Sequence, residues 1–314
     1  VRKAAIEAVG ALADRDERVV FIGSDLGPGV LDSMRTRHPE RFFMEGVAEQ
    51  HVVGMAAGLA TEGFRPYVNT IATFLTRRCY EQVAIDLCIQ DLPVVLLASG
   101  GGAVYAPLGP THLAVEDLAI LRALPNMTVV APCDADEMRR LMDLTLDWPH
   151  PMYIRFAKGG DPVVSRPELG FEIGRAIEME QGSDGLIVST GVATQVALAA
   201  AAELRTEGIS CSVLHVHTVK PLDAQVIVDR AASCGRVVVV EEHVVAGGLG
   251  SAVLEALADA DALGGTSVRR IGIPDRFADK YGSQRDLMEH WGITSGAVAS
   301  AMRSLTGEGG RRVR

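Results

Sequence analysis

Residues 41–59 read RFFMEGVAEQHVVGMAAGL. From Val47 to Thr61 small and apolar residues recur at helical spacing, and Glu49 opens that helix. The chain on either side alternates between strand and helix patterns. Upstream, Arg18–Ile22 (RVVFI) is a β-rich run ending at Gly23. Downstream, Pro66–Asn69 reads as strand, Thr76–Gln90 as helix, and Pro93–Ala98 (PVVLLA) as a strand broken by Gly100-Gly101-Gly102. Glu116–Ala123 is helical, Met127–Ala131 is strand, Asp134–Leu146 is helix and Pro151–Phe156 is a last strand. Such alternation calls for a parallel sheet covered by helices, a doubly wound α/β unit.

From Lys158 to Glu172 the composition shifts to Gly, Pro and polar residues (KGGDPVVSRPELGFE), which marks a linker. A second α/β unit follows. Its strands are Leu186–Ser189, Ser210–His215, Arg236–Glu241 and Ser267–Ile273. Its helices cover Ala193–Glu207, Asp223–Ala232 and the stretch after Gly247, Gly248 and Gly250. The expected division is 1–160 for the first domain, 161–175 for the linker and 176–314 for the second, with a frayed tail GEGGRRVR. The glycine groups at 100–102 and 247–250 could cradle a phosphate at a helix N-terminus. Neither has the P-loop or full GxGxxG form, so each reads first as a turn permitting close packing.

Composition narrows the partners. Hydrophobic residues make up 48% of the 314 and charged residues 22%, enough apolar material for two packed interiors. The net charge is −10 and no basic stripe appears, so nucleic acid and anionic membrane are poor partners and a small solute is the better one. The five cysteines are scattered without a CxxC pair or a zinc-type spacing, which leaves no metal site to assign and suits a reducing compartment. No apolar run approaches the ~18 residues of a membrane span, and the first residues read as an amphipathic helix start rather than a signal peptide. The expectation is a soluble, cytoplasmic protein.

A carboxylate at a helix N-terminus, such as Glu49, is ordinarily a cap or a partner of the helix dipole. Its neighbours give it other company. RFFMEGVAEQH at 41–51 is followed by TFLTRRCYEQ at 73–82, by GPTH at 109–112 with Glu116-Asp117 after it, and by EEHVVAGGLGSAV at 241–253. These blocks, in this order, resemble the thiamine-diphosphate-dependent transketolase family over nearly the whole chain. The likeness is to the C-terminal half of a full-length transketolase, its pyrimidine-binding domain followed by the transketolase C-terminal domain.

The resemblance assigns roles by position. Thiamine diphosphate must lose the C2 proton of its thiazolium, and the base is the cofactor's own 4′-imino group, formed when a carboxyl shares a proton with N1′ of the aminopyrimidine. A carboxyl shielded from water suits that task, and Glu49 takes it. Phe74 stands where the family stacks an aromatic on the pyrimidine ring; it is otherwise a core phenylalanine. Tyr80 lines the same segment. His112 matches the active-site histidine near the reacting carbonyl, as a hydrogen-bond donor or proton shuttle, though a turn residue would look alike. Asp25, at the C-terminal end of a strand, either faces the site or shapes its turn. His51 is a substrate candidate or a structural or subunit contact. Arg77 and Arg78 are open between a substrate anion, a subunit salt bridge and solvent. Arg155 and Lys158 are possible anion contacts with solvated or linker roles as alternatives, and His243 stays open.

Two departures shape the functional expectation. The family's pyrophosphate motif, GDG followed at a distance by Asn, occurs nowhere in the sequence. Mg²⁺ and the diphosphate are therefore expected to be held by a separate subunit, in a two-plus-two heterotetramer. The loop before His112 reads SGGGAVYAPL, whereas transketolases proper usually carry a His early in this loop and an acid a few positions before the GPTH; Leu108 cannot hydrogen-bond a sugar hydroxyl and Gly100 supplies no cation for phosphate. The expected reaction is transfer of a two-carbon ketol unit from a ketose or 2-oxo acid, through a carbanion of the cofactor. The alternatives are a decarboxylating 1-deoxyxylulose-phosphate-synthase-like subunit, a 2-oxo acid dehydrogenase E1 β-like subunit, or a non-catalytic scaffold of the same fold.

Overall fold

The computed structural model describes residues 1–24 and 31–308, arranged around two sheets. The first half supplies β1 (Val19–Gly23), β2 (Phe42–Met44), β3 (Arg65–Ile71), β4 (Val95–Ser99), β5 (Thr128–Val130) and β6 (Met152–Phe156). The second half supplies β7 (Ile177–Glu180), β8 (Gly185–Ser189), β9 (Cys211–His215), β10 (Thr218–Lys220), β11 (Arg236–Val244) and β12 (Ser267–Ile273). The larger sheet runs β10-β5-β6-β4-β3-β1-β2, parallel except for β10; the smaller runs β12-β11-β8-β9-β7, parallel except for β7. β1, β4 and β6 are buried along their whole length, as their unbroken apolar runs require for strands covered on both faces. The α/β reading and the pairing of two such units both hold.

The helix expected over Thr76–Gln90 is broken. One turn at Ala72–Leu75 stops at Thr76, whose hydroxyl bonds back to the carbonyl of Ala72 at 3.0 Å; a short helix at Tyr80–Gln82 then runs into a π-helix at Val83–Cys88. A threonine that turns on its own backbone offers the chain a way out of the helix, and π turns of this kind gather at functional places. The sequence reading also passed over β2, β7 and β10 and the helices Gln284–His290 and Ser295–Glu308. Three of these five elements are strands of only three or four residues, too short for alternation to register.

β10 is the strand that ties the halves together. It follows β9 of the smaller sheet, yet pairs antiparallel with β5 of the larger one, Thr218 opposite Val130. The backbone N–H of Ala131 donates to the carbonyl of His217 at 2.7 Å just beside it. Among the described residues no helix is long and apolar enough to cross a membrane.

Candidate functional site

The C-terminal ends of β1, β3 and β4 point the same way, and the connections that leave them carry most of the candidate residues. In parallel α/β sheets this is the edge where ligands bind. Glu49 is the first residue of the helix Glu49–Thr61 and is 1% exposed. A buried carboxylate needs a partner, and Arg78 provides it, with Nη1 2.6 Å from Oε2. The same guanidinium lies over the ring of Phe74, 4.0 Å from its centroid. Phe74 in turn meets His112 edge-on, with ring centroids 5.4 Å apart. Glu49, Arg78, Phe74 and His112 therefore form one continuous chain of contacts, although they come from three separate segments.

Arg77 points elsewhere. It is 3.0 Å from Glu116, donates to the carbonyl of Leu113 at 3.2 Å and to the hydroxyl of Thr73 at 2.9 Å, and so pins the loop that carries His112. The His112 ring shares a 2.9 Å contact with the hydroxyl of Thr111. Tyr80 donates its hydroxyl to the carbonyl of Ile120 at 2.9 Å and packs on the core of the first domain. His51 is largely exposed, 3.7 Å from Glu45. Asp25 lies outside the described residues. Burial pushes the thiol of Cys79, beneath Arg78, up to about 12, and nearby Glu49 adds to the rise; the group is inert near neutral pH.

Arg155 faces protein, not solvent. It is 4% exposed, 3.0 Å from the buried carboxylate of Asp117, and donates to the carbonyl of Glu242 at 2.6 Å. That places it in the junction between the halves, committed to partners that an anionic ligand would have to displace. Gly101 and Gly102 exist for the same junction. A Cβ on Gly101 would sit 2.4 Å from Arg155, and one on Gly102 2.3 Å from the carboxyl of Glu242. The second glycine group is equally structural. Glu241 accepts from the backbone N–H groups of Leu249 and Gly250 at 2.7 and 2.8 Å, so the helix N-terminus already holds an anion of its own chain. His243 accepts from the N–H of Ala119 at 3.2 Å and its Nδ1 lies 2.7 Å from the carbonyl of Val244, which uses both ring nitrogens.

Sequence reasoning missed the polar core of the junction. Cys133, Glu137 and His215 bring their ligand atoms within 4.8 Å of one another. Glu137 is 2.9 Å from His215 and accepts from the N–H of Cys133 at 2.6 Å, while Thr194 bonds the other nitrogen of His215 at 2.7 Å. The contacts link the two halves through Oε2 of Glu137, as a hydrogen-bond network does, and leave its Oε1 buried without a partner among the described residues. Their spacing in sequence, with nearly eighty positions between Glu137 and His215, gives no local signal.

Comparison with known proteins bears on this arrangement. Residues 1–160 match the transketolase pyrimidine binding domain and residues 174–298 the transketolase C-terminal domain. A putative uncharacterized transketolase family protein of Sinorhizobium fredii is 39% identical over 96% of this chain and 87% of its own length. The 1-deoxy-D-xylulose-5-phosphate synthase of Thermomicrobium roseum is 42% identical over 96% of this chain, which spans only 48% of that protein. Among solved structures, a split gene transketolase described as an inactive β4 tetramer superposes with a TM-score of 0.89 at 36% identity, covering 96% of this chain and 97% of that one. A transketolase of Campylobacter jejuni shares the fold, with a TM-score of 0.81 at 19% identity over 46% of its length. With both halves matched in order and a relative alike over nearly its whole length, the chain belongs to the transketolase family.

Proposed function

We propose that this chain supplies the pyrimidine side of a thiamine-diphosphate site that a separate subunit completes, for transfer of a two-carbon ketol unit. One observation carries the reading: a buried carboxylate, Glu49, and one face of Phe74 both engage the same flat, nitrogen-bearing cation. An acid beside an aromatic face fits an aminopyrimidine ring, which needs a hydrogen-bond partner for a ring nitrogen and a surface for its face. When bound, thiamine diphosphate would supply the carbon nucleophile for C–C cleavage.

The roles of the chain's own residues follow from their places. Glu49 would face N1′ of the bound ring and share a proton with it. Phe74 fixes the plane of that ring. His112, held edge-on to Phe74 by the loop that Arg77 pins, is placed to exchange a hydrogen bond or proton with a substrate oxygen. Mg²⁺ belongs to the other subunit. The one group of described residues spaced to grip an ion is Cys133, Glu137 and His215, a thiol and an imidazole with one carboxylate, whereas Mg²⁺ takes oxygen ligands. The split gene transketolase, similar in length and fold, is described as inactive when it forms a β4 tetramer. By extension this chain alone is inactive and works in a two-plus-two assembly.

A second reading, decarboxylating condensation of a 2-oxo acid, is favoured by the 1-deoxy-D-xylulose-5-phosphate synthases among the relatives. The test pairs the chain with a candidate subunit carrying GDG and the spaced Asn, then analyses products from hydroxypyruvate, pyruvate and sugar phosphates. CO₂-linked product from pyruvate alone would select the second reading. An absence of cofactor-dependent turnover in every pairing would leave the scaffold reading in its place.

A further inference from the structure

Arg78 makes the two contacts that the reading above gives to the aminopyrimidine ring. Its guanidinium is planar, lies 4.0 Å over the Phe74 face and presents an N–H to Oε2 of Glu49 at 2.6 Å. Two flat groups cannot both occupy the layer directly above one ring face, so a ring that stacks on this face of Phe74 and reaches Glu49 takes the place of the guanidinium. The carboxylate is buried, so the ion pair also neutralises a charge that would be costly to leave alone. The arginine itself reaches in from the surface, its side chain 38% exposed. Its neighbour Arg77 is tied to Thr73, Leu113 and Glu116 and cannot substitute for it.

From this we propose that Arg78 is a plug: it holds the pyrimidine slot closed and charge-balanced in the isolated chain, and must leave for the ring to enter. The inference rests on the half-site reading of Glu49 and Phe74. The cost of withdrawing Arg78 sets the cofactor affinity of the half-site, and it depends on salt, because a part-exposed ion pair is screened.

The experiment titrates 4-amino-5-hydroxymethyl-2-methylpyrimidine, the uncharged pyrimidine half of thiamine, into the full chain. A neutral probe removes simple charge repulsion as an explanation. Binding is followed by ligand-observed saturation-transfer NMR for the wild type, Arg78→Ala and Phe74→Ala, with circular dichroism to confirm that each variant is folded. Arg78→Ala should bind the probe about tenfold more tightly than the wild type, the order of one ion pair plus one cation–π contact. Raising the salt should tighten binding to the wild type and leave Arg78→Ala unmoved, and Phe74→Ala should bind more weakly. If Arg78→Ala binds no better while Phe74→Ala still weakens binding, the plug is wrong and the half-site stands. If the probe binds none of the three, both ideas fall, since an unplugged slot must be open.

Discussion

Glu49 is the residue on which the chemistry turns, and its burial makes a clean substitution possible. Glu49→Gln keeps the size and one acceptor oxygen for Arg78, so the packing around the helix start should survive. What it removes is the ability to share a proton. In the completed assembly, turnover should fall by roughly 10²–10⁴-fold, the range of a lost acid–base group, with an unchanged circular dichroism spectrum. Turnover within about threefold of the wild type would remove Glu49 from the mechanism. Little in the immediate sequence separates this carboxylate from a helix cap; the order of the surrounding blocks does. Arg78 shows the limit of such reading. Its three possible roles could not be separated, because its meaning lies in a contact across 29 positions to Glu49.

The loop from Gly100 to His112 is where local pattern and tertiary need meet. A run of three glycines reads as a turn, and it is one, but the reason comes from the other half of the chain. Gly102 has φ +65 and leaves space for the Glu242 carboxyl. Gly102→Ala combines backbone strain with that clash and should destabilise the chain by about 1–3 kcal/mol in urea unfolding. Gly63→Ala is the comparison: its φ is +90 but nothing lies within 4 Å, so it should cost less. Equal losses would show that the junction yields to an added methyl. The same loop is braced from below by Asp117, which accepts from Tyr153 at 2.7 Å and faces Arg155. Asp117→Asn leaves a buried guanidinium without its anion and should cost about 3–5 kcal/mol; a loss under about 1 kcal/mol would mean that water or Glu242 takes over. The long strands and helices were legible because each spans several periods of its pattern. The broken helix at 76–88 was not, since the apolar spacing continues through a break made by one threonine hydroxyl.

At the scale of the whole molecule the two halves are joined through buried titratable groups, and this sets an acid limit. Burial drives His217, stacked on Phe171 with ring centroids 4.1 Å apart, down from the ordinary 6.5 to about 3, with Glu137 opposing the fall. Burial alone would raise the Glu137 carboxyl, but the charge and hydrogen bond of His215 outweigh it and hold Glu137 at about 2, below its ordinary 4.5. Both shifts act in the same direction. Between pH 6.5 and about 3 the unfolded chain binds a proton on His217 that the folded chain refuses, and between 4.5 and about 2 the same is true of Glu137. Stability therefore rises with pH across both windows, is fully present above 6.5, and is lost on acidification. At about 1.4 kcal/mol per pKa unit the His217 shift alone is on the order of a few kcal/mol, enough to matter for one domain pair. Urea midpoints should hold from pH 7.5 to about 6.5 and then fall steadily to pH 4 for the wild type. His217→Gln removes the titrating ring, so its midpoint should start lower at pH 7.5, through lost stacking on Phe171, yet decline less steeply toward pH 5. A parallel decline in the two proteins would place the acid-sensitive groups outside this junction.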